Sequence, residues 1–394
     1  MRFFVLLALG SLLSSASLTA QVRDIGKVDI ETTVQTTPIR VTGSTPELDR
    51  LANFAFETHG RYRRVASGEQ FTLSFTGVGA AAVRVDVTRG GSSVLSQTVT
   101  GSSLRNALLR AADAAVKATS NLNGFFASRL AFISERTGKT EVYTGDLFFG
   151  EVKQVTNDGV QALTPRWAPD GSKILYTSFK AGVADIIQLD LRSMQRSTFV
   201  SFKGTNGNAR FSPNGQQVAM VLSGEGNPEI YVSNAQGRQV SRRTRTPGVE
   251  ASPAFSPDGQ RLVFTSDSAG GPQLYVMPVA GGTPQRLPTN ISGYCAEPDW
   301  SRADPNKIAF TIRIGNGYQI ALFDLSTREA ARQVSRAPRD AIEPSWLGDG
   351  RHLVYTARAA NTRSIWLLDT ESGKATRISA PELGQASQAS VWLP

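Results

Sequence analysis

Cysteine and histidine are nearly missing from this 394-residue chain, which has one of the first and two of the second. Cys295 alone cannot close an intramolecular disulfide, so the fold must be held by packing. No histidine sits near it in sequence, and the thiol reads as buried and inert. His59 and His352 fall in different predicted domains, which removes most metal-site chemistry; a structural role is expected for His352. No long apolar run suited to crossing a bilayer is present. There is no Gly-x-Ser-x-Gly elbow, P-loop, dinucleotide fingerprint or calcium loop. Aromatic residues make up only 8% of the chain, but 40% of it is hydrophobic, enough for a core, so wholesale disorder is excluded.

Turn formers and positive charge are what the chain does have: 36 glycines, 19 prolines and a net charge of +9. The charge is spread thinly. The first 127 residues carry 13 Lys/Arg against 9 Asp/Glu, leaving 29 against 24 for the rest. Only Arg242, Arg243 and Arg245 cluster, so no nucleic-acid partner is expected. Residues 1–20 read as a secretory signal peptide, with Arg2, an apolar run from Phe3 to Leu13, and a small polar segment ending at Ala20. Export is the expectation. No cysteine closes this segment, so no lipid anchor is expected.

An internal repeat sets the architecture. Pro165-Arg-Trp-Ala-Pro-Asp-Gly171, Ala209-Arg-Phe-Ser-Pro-Asn-Gly215 and Pro253-Ala-Phe-Ser-Pro-Asp-Gly259 are variants of one phrase. Looser copies follow at Pro298-Asp-Trp-Ser301 and Pro344-Ser-Trp-Leu-Gly-Asp-Gly350, and a truncated one at Ser390-Val-Trp-Leu-Pro394. Taking Trp167, Phe211, Phe255, Trp300, Trp346 and Trp392 as equivalents gives spacings of 44, 44, 45, 46 and 46. After each phrase come three short alternating runs, such as Lys173–Ser178, Asp185–Asp190 and Ser197–Val200. Four strands per 44–46 residues is the period of a β-propeller blade. Three strands beginning at Arg129 lack a first strand, and Ser390–Leu393 is a first strand lacking a blade. Joining them predicts a six-bladed propeller over 128–394, closed by both ends of the domain. The phrase aromatics should pack between blades, and Ser256 and Ser301 should bond their turns.

Residues 21–127 lack the repeat. Thr45 caps a helix that starts at Pro46. Gln70–Thr76, Ala82–Thr88 and Ser93–Thr100 alternate as strands, and Ser102–Lys117 is a helix with Leu104, Leu108, Ala111, Ala112 and Ala115 on one face. The expectation is a small α/β (α+β) domain, preceded by an arm at 21–44 that is either disordered or an edge strand. The overall class is mainly β.

Candidate site residues come from the loops between repeats. Glu250, Glu297 and Glu343 precede Pro-x-aromatic phrases and are expected at the mouth of the central channel. They read either as solvated carboxylates orienting a turn or as an acidic rim for a protein partner or a cation.

With these residues in view, the chain resembles the TolB family, the periplasmic component of the Tol–Pal envelope system. The resemblance is carried by Gly124-Phe-Phe-Ala-Ser-Arg-Leu-Ala-Phe-Ile-Ser-Glu135, the Ser-Pro-Asp-Gly phrases, Phe264-Thr-Ser-Asp267, Gly271-Pro-Gln-Leu-Tyr275 and Gly281-Gly-Thr-Pro-Gln-Arg-Leu287. It implies a monomeric binding protein, not an enzyme, without cofactor or metal. It also implies that the propeller docks a Pal-like peptidoglycan-associated lipoprotein, with other outer-membrane proteins as further candidates. The N-terminal arm, beginning at Gln21, Val22 and Arg23, would contact a TolA-like inner-membrane protein. By loop position, the partner site would comprise Asn157, Asp158, Asn206, Asn208, Glu250, Tyr294, Glu297, Asp340 and Glu343. Two other readings are the propeller of a peptidase-like enzyme and a glycan-binding propeller. The first lacks a catalytic domain, and the second would need exposed aromatics where only Tyr294 qualifies.

Overall fold

The computed structural model describes residues 27–28 and 35–394. The expected signal peptide and the arm residues Gln21, Val22 and Arg23 lie outside the described residues.

The N-terminal domain forms because two amphipathic helices cover one face of an alternating sheet. Helix α1 (Pro46–Thr58) starts where Thr45 accepts the Leu48 N–H at 3.3 Å, with Pro46 supplying a preset φ. Strands β1 (Lys27–Val28), β2 (Thr37–Gly43), β3 (Tyr62–Arg64), β4 (Phe71–Gly79), β5 (Ala82–Arg89) and β6 (Ser92–Thr100) precede helix α2 (Leu104–Ser120). Ser103 caps α2 at the Asn106 N–H, 3.0 Å away, and Asn121 ends it in the left-handed conformation at φ 58°. Phe71, Leu73, Phe75, Val83, Val85 and Val87 point inward against Leu48, Ala52, Phe56, Leu108, Ala111 and Ala115. The sheet order is β3-β2-β4-β5-β6.

That order corrects the expected 21–44 arm. Residues 37–43 are neither an arm nor an edge: β2 lies inside the sheet, parallel to both β3 and β4. Only Ile39 and Val41 mark its buried face, too short a pattern to register among polar neighbours. β1 joins the second domain instead, pairing Lys27 with Thr376 and Val28 with Ala375.

From Arg129 onward the chain is a β-propeller. Four antiparallel sheets have four strands each; they begin at Ala162, Asn206, Glu250 and, for the last, Ala386. In that last sheet Ala386–Trp392 pairs with Arg129–Ser134, so the C-terminal strand completes a unit begun more than 250 residues earlier. The other strands form a nine-stranded sheet, not two separate four-stranded ones. Two antiparallel ladders, starting at Cys295 and Asp340, meet through a single parallel pair, Tyr318 and Asp340, and β1 is added at one edge.

The register corrects one equivalence. Trp167, Phe211, Phe255, Trp300 and Trp346 face Ile174, Val218, Leu262, Ile308 and Leu353. The residue facing Leu130 is Val391, not Trp392. Trp392 lies one position further, its ring 5.7 Å from that of Trp167 and its Nε1 donating to the Pro169 carbonyl at 3.0 Å. An aromatic in the adjacent position imitates the repeat, which made the last spacing one residue too long.

The turns behave as their residues dictate. Ser256 bonds Asp258 at 2.5 Å and accepts the Arg261 N–H at 2.9 Å, while Gly259 closes the turn at φ 71°. Cys295 is buried, and desolvation pushes its thiol up.

The domains share one core around Phe56, Phe126, Leu347, Val354 and Leu367. The N-terminal domain packs on the Pro-Asp-Gly turn side: His352 and Asp369 meet His59 and Gly60, and Arg105 pairs with Asp146. In the connection, Asp113 accepts the N–H groups of Phe126 and Ala127 at 2.7 and 3.0 Å, and burial pushes its carboxyl up to about 7. The loops between repeats lie at the opposite end of the propeller.

Candidate functional site: the channel belt and the loop face

Three residues before each inward anchor, the first strand of every repeat bulges. The bulge residue is left-handed each time without being glycine: Thr164 (φ 50°), Asn208 (51°), Ser252 (51°), Glu297 (55°), Glu343 (56°) and Gln388 (56°). Such a conformation is uncommon for side-chain-bearing residues and persists only where the surroundings hold it. Here it turns six side chains into the central channel, where they line a cavity of about 260 Å³ with Arg166 and Arg210.

The strain is held by a belt of hydrogen bonds from repeat to repeat. Glu297 accepts the Glu343 N–H at 3.0 Å and the Thr311 hydroxyl at 2.7 Å. Glu343 accepts Thr356 at 2.8 Å and the Gln388 amide at 3.0 Å, and Gln388 in turn accepts the Thr164 N–H at 2.8 Å. Burial, then the neighbouring Glu343 carboxylate, pushes Glu297 up to about 7. Nothing in the belt resembles a nucleophile with its base; it is a scaffold of hydrogen-bond acceptors.

The sequence-chosen residues divide into three groups. Asn208, Glu297 and Glu343 line the channel. Glu250 does not: it is fully buried, accepts Thr246 and Ser266 at 2.7 and 2.6 Å, and sits beside Glu229, so burial and that neighbour push it up to about 7. Ser252, not Glu250, is the true counterpart of Glu297, because the bulge sets the register. Asn206 and Asp340 are also buried fasteners. The Asn206 amide donates to the carbonyls of Phe202 and Ala184 at 2.8 and 3.1 Å. Asp340 accepts the Tyr318 N–H at 3.0 Å and Arg358 at 2.8 Å. These three are thus removed from the free surface that loop position suggested for them.

Asn157, Asp158 and Tyr294 remain on the loop face. Asn157 is exposed, Asp158 is ion-paired to Lys180 and Arg196, and Tyr294 meets the Tyr318 ring edge-on at 5.3 Å. Residue types chosen for polarity missed the apolar part of this face. Val183, Phe202, Val249 and Ile314, between 43% and 52% exposed, all lie on or beside the loops at this end. A signal was available: large apolar residues in connections whose strands need none of them.

Among the described residues, no helix is long and apolar enough to cross a membrane. The arrangement defines a propeller whose open face and channel offer binding groups without a catalytic constellation. The TolB beta propeller domain family matches residues 117–394, and the chain belongs to that family. The Tol-Pal system protein TolB of Roseobacter denitrificans is 36% identical over 101 residues, covering 24% of this chain and 23% of that protein. The Haemophilus influenzae PittGG protein of the same name is 34% identical over 115 residues, covering 28% and 27%. The match thus spans about a quarter of these curated relatives. The crystal structure of TolB from Acinetobacter baumannii superposes over 93% of this chain and 98% of that one, with a TM-score of 0.82 and 25% identity.

Proposed function

We propose that the chain is a periplasmic protein-binding scaffold of the Tol–Pal system. In this reading the propeller has six blades, the nine-stranded sheet being two blades joined at the single Tyr318–Asp340 pair. Its loop face docks a Pal-like peptidoglycan-associated lipoprotein, and the segment from Gln21 to Arg23 reaches a TolA-like inner-membrane protein. Together they link the two membranes for envelope integrity and constriction.

One observation carries the reading. The propeller face away from the N-terminal domain carries Val183, Phe202, Val249 and Ile314 exposed beside polar Asn157 and half-buried Tyr294. Apolar groups gathered on one face and mixed with polar ones mark a protein-docking surface. The test is calorimetric titration of the chain with the soluble domain of the Pal-like lipoprotein from the same cell. Binding that a Phe202→Asp, Val249→Asp pair weakens at least tenfold, with the melting temperature unchanged, supports it. Failure of the two purified proteins to bind would sink it.

A further inference from the structure

The half of the channel nearest the Pro-Asp-Gly turns takes no part in the loop-face reading. It encloses a cavity of about 130 Å³, which shares Arg166 and Arg210 with the wider cavity beyond. Arg302 lines it too, so three guanidinium groups converge on a space with one carboxylate, Asp299. That carboxylate is already engaged: one oxygen pairs with Arg210 and the other accepts the Trp346 N–H at 2.7 Å. Among the described residues, Arg166 and Arg302 have no carboxylate within 4.0 Å. The hydrogen bond of Arg166 runs to the carbonyl of its own neighbour, Pro165, at 3.4 Å.

The surroundings do not supply the missing charge. Glu297 and Glu343 act on Arg166 from beyond ion-pair distance, and both are bound into the belt. Burial pushes Arg166 down to about 10, which still leaves it charged at neutral pH. Arg166 is half-buried and Arg302 stands exposed at the edge of the cavity; a part-buried cation without a partner favours the arrival of a counter-charge. The hydroxyls of Ser345 and Ser390 line the same space, and its walls include Trp300, Trp346 and Trp392.

We propose that this chamber is a binding site for a small oxyanion, a phosphate or a carboxylate, held by the guanidinium forks of Arg166 and Arg302. Planar forks match the paired oxygens of both groups, which a halide lacks. The volume suits one such group with a few waters, at about 30 Å³ per water.

The experiment is calorimetric titration of the full chain at constant ionic strength. One arm uses inorganic phosphate; the other uses triglycine, with triglycinamide as its uncharged-end control. Saturable one-site binding of phosphate, or of triglycine but not its amide, is expected, and Arg166→Met should weaken it at least tenfold. No saturable binding of either probe up to about 10 mM overturns the proposal, as does binding that Arg166→Met leaves unchanged. Should that variant not fold, the indole N–H resonances of Trp300, Trp346 and Trp392 in the wild-type chain decide. They shift on saturation if the anion occupies the chamber, and their constancy refutes it.

Discussion

The ring of His352 holds the main-chain oxygen of His59 at 2.8 Å, while its other nitrogen meets the Asp349 carboxylate at 2.6 Å. The chain's two histidines, far apart in sequence, therefore meet at the junction of its two domains, their ring centroids 4.6 Å apart. They titrate in opposite senses. Asp349 holds His352 above the usual imidazole range against its burial, whereas burial and the facing His352 push His59 well below it. The groups around His59 are the rings of Tyr62, Phe125 and Phe126, with Asp349, Asp369 and Arg351 further off.

The consequence for His59 has a definite sign. Its folded-state value lies below the unfolded one, so below about pH 6.5 the unfolded chain binds a proton that the folded chain does not. Stability present above that pH is lost as the pH falls. His352 works the other way, its contribution being full below about pH 6.5 and lost as the pH rises through its raised value. A His59→Phe variant should therefore gain on the wild type at pH 5 relative to pH 8 when denaturation midpoints are compared. His352→Phe should cost about 3–5 kcal/mol, because it strands the buried Asp349 carboxylate. An unchanged gap between wild type and His59→Phe at the two pH values would refute the account of His59.

Glu297 gives a second pH signature. A carboxyl raised to about 7 in the folded chain binds its proton more tightly there than when unfolded. Its contribution to stability is full below about pH 4.3, the unfolded value, and falls as the pH climbs through 7. Glu297→Gln keeps an oxygen to accept the Glu343 N–H but cannot ionise. Urea denaturation at pH 5 and pH 8 should show the variant gaining on the wild type by on the order of 2 kcal/mol between the two. A variant that tracks the wild type across that range would show that the carboxyl is not raised.

How much of this was legible follows from what each feature leaves in a sequence. The phrase around Trp167, Phe211, Phe255, Trp300 and Trp346 is local, so strands, turns and the closing strand could be counted from it. β2 was not legible because a strand paired on both sides by distant segments needs only Ile39 and Val41 to be apolar. The bulge was hidden for a different reason. Its six residues, from Thr164 to Gln388, share a backbone conformation and no side-chain chemistry. Glu250 therefore looked like the partner of Glu297, while Ser252 held that place. The meeting of His59 and His352 depends on domain docking, which no local pattern records.

The bulge makes its own prediction. Thr164 is β-branched and sits at φ 50°, whereas Asn208 fills the equivalent place in the next repeat at 51°. Asparagine tolerates this region several-fold better than other residues, and a β-branched side chain suits it least. Thr164→Asn should therefore raise stability by roughly 0.5–1 kcal/mol, offset in part by loss of the 3.2 Å contact to the Thr177 hydroxyl. Thermal unfolding measures it. A loss of more than about 1 kcal/mol would mean that the threonine pair outweighs the backbone strain.

Closure of the ring can be tested at Gly171 and Trp392. Gly171 lies at φ 70°, and a Cβ there would fall 2.4 Å from the Trp392 ring. Gly171→Ala thus meets two penalties, the left-handed backbone and the indole of the final strand, and should cost roughly 2–4 kcal/mol. Trp392→Ala loses the tilted ring contact with Trp167 and the bond to the Pro169 carbonyl, but it also removes the obstacle that the added methyl group would meet. The double variant should accordingly be less destabilised than the sum of the single ones, by about 1 kcal/mol or more. Equilibrium unfolding of the four proteins gives that difference. Strict additivity would mean that the C-terminal strand does not press on the first repeat, and that the ring is sealed by the Ala386–Trp392 ladder alone.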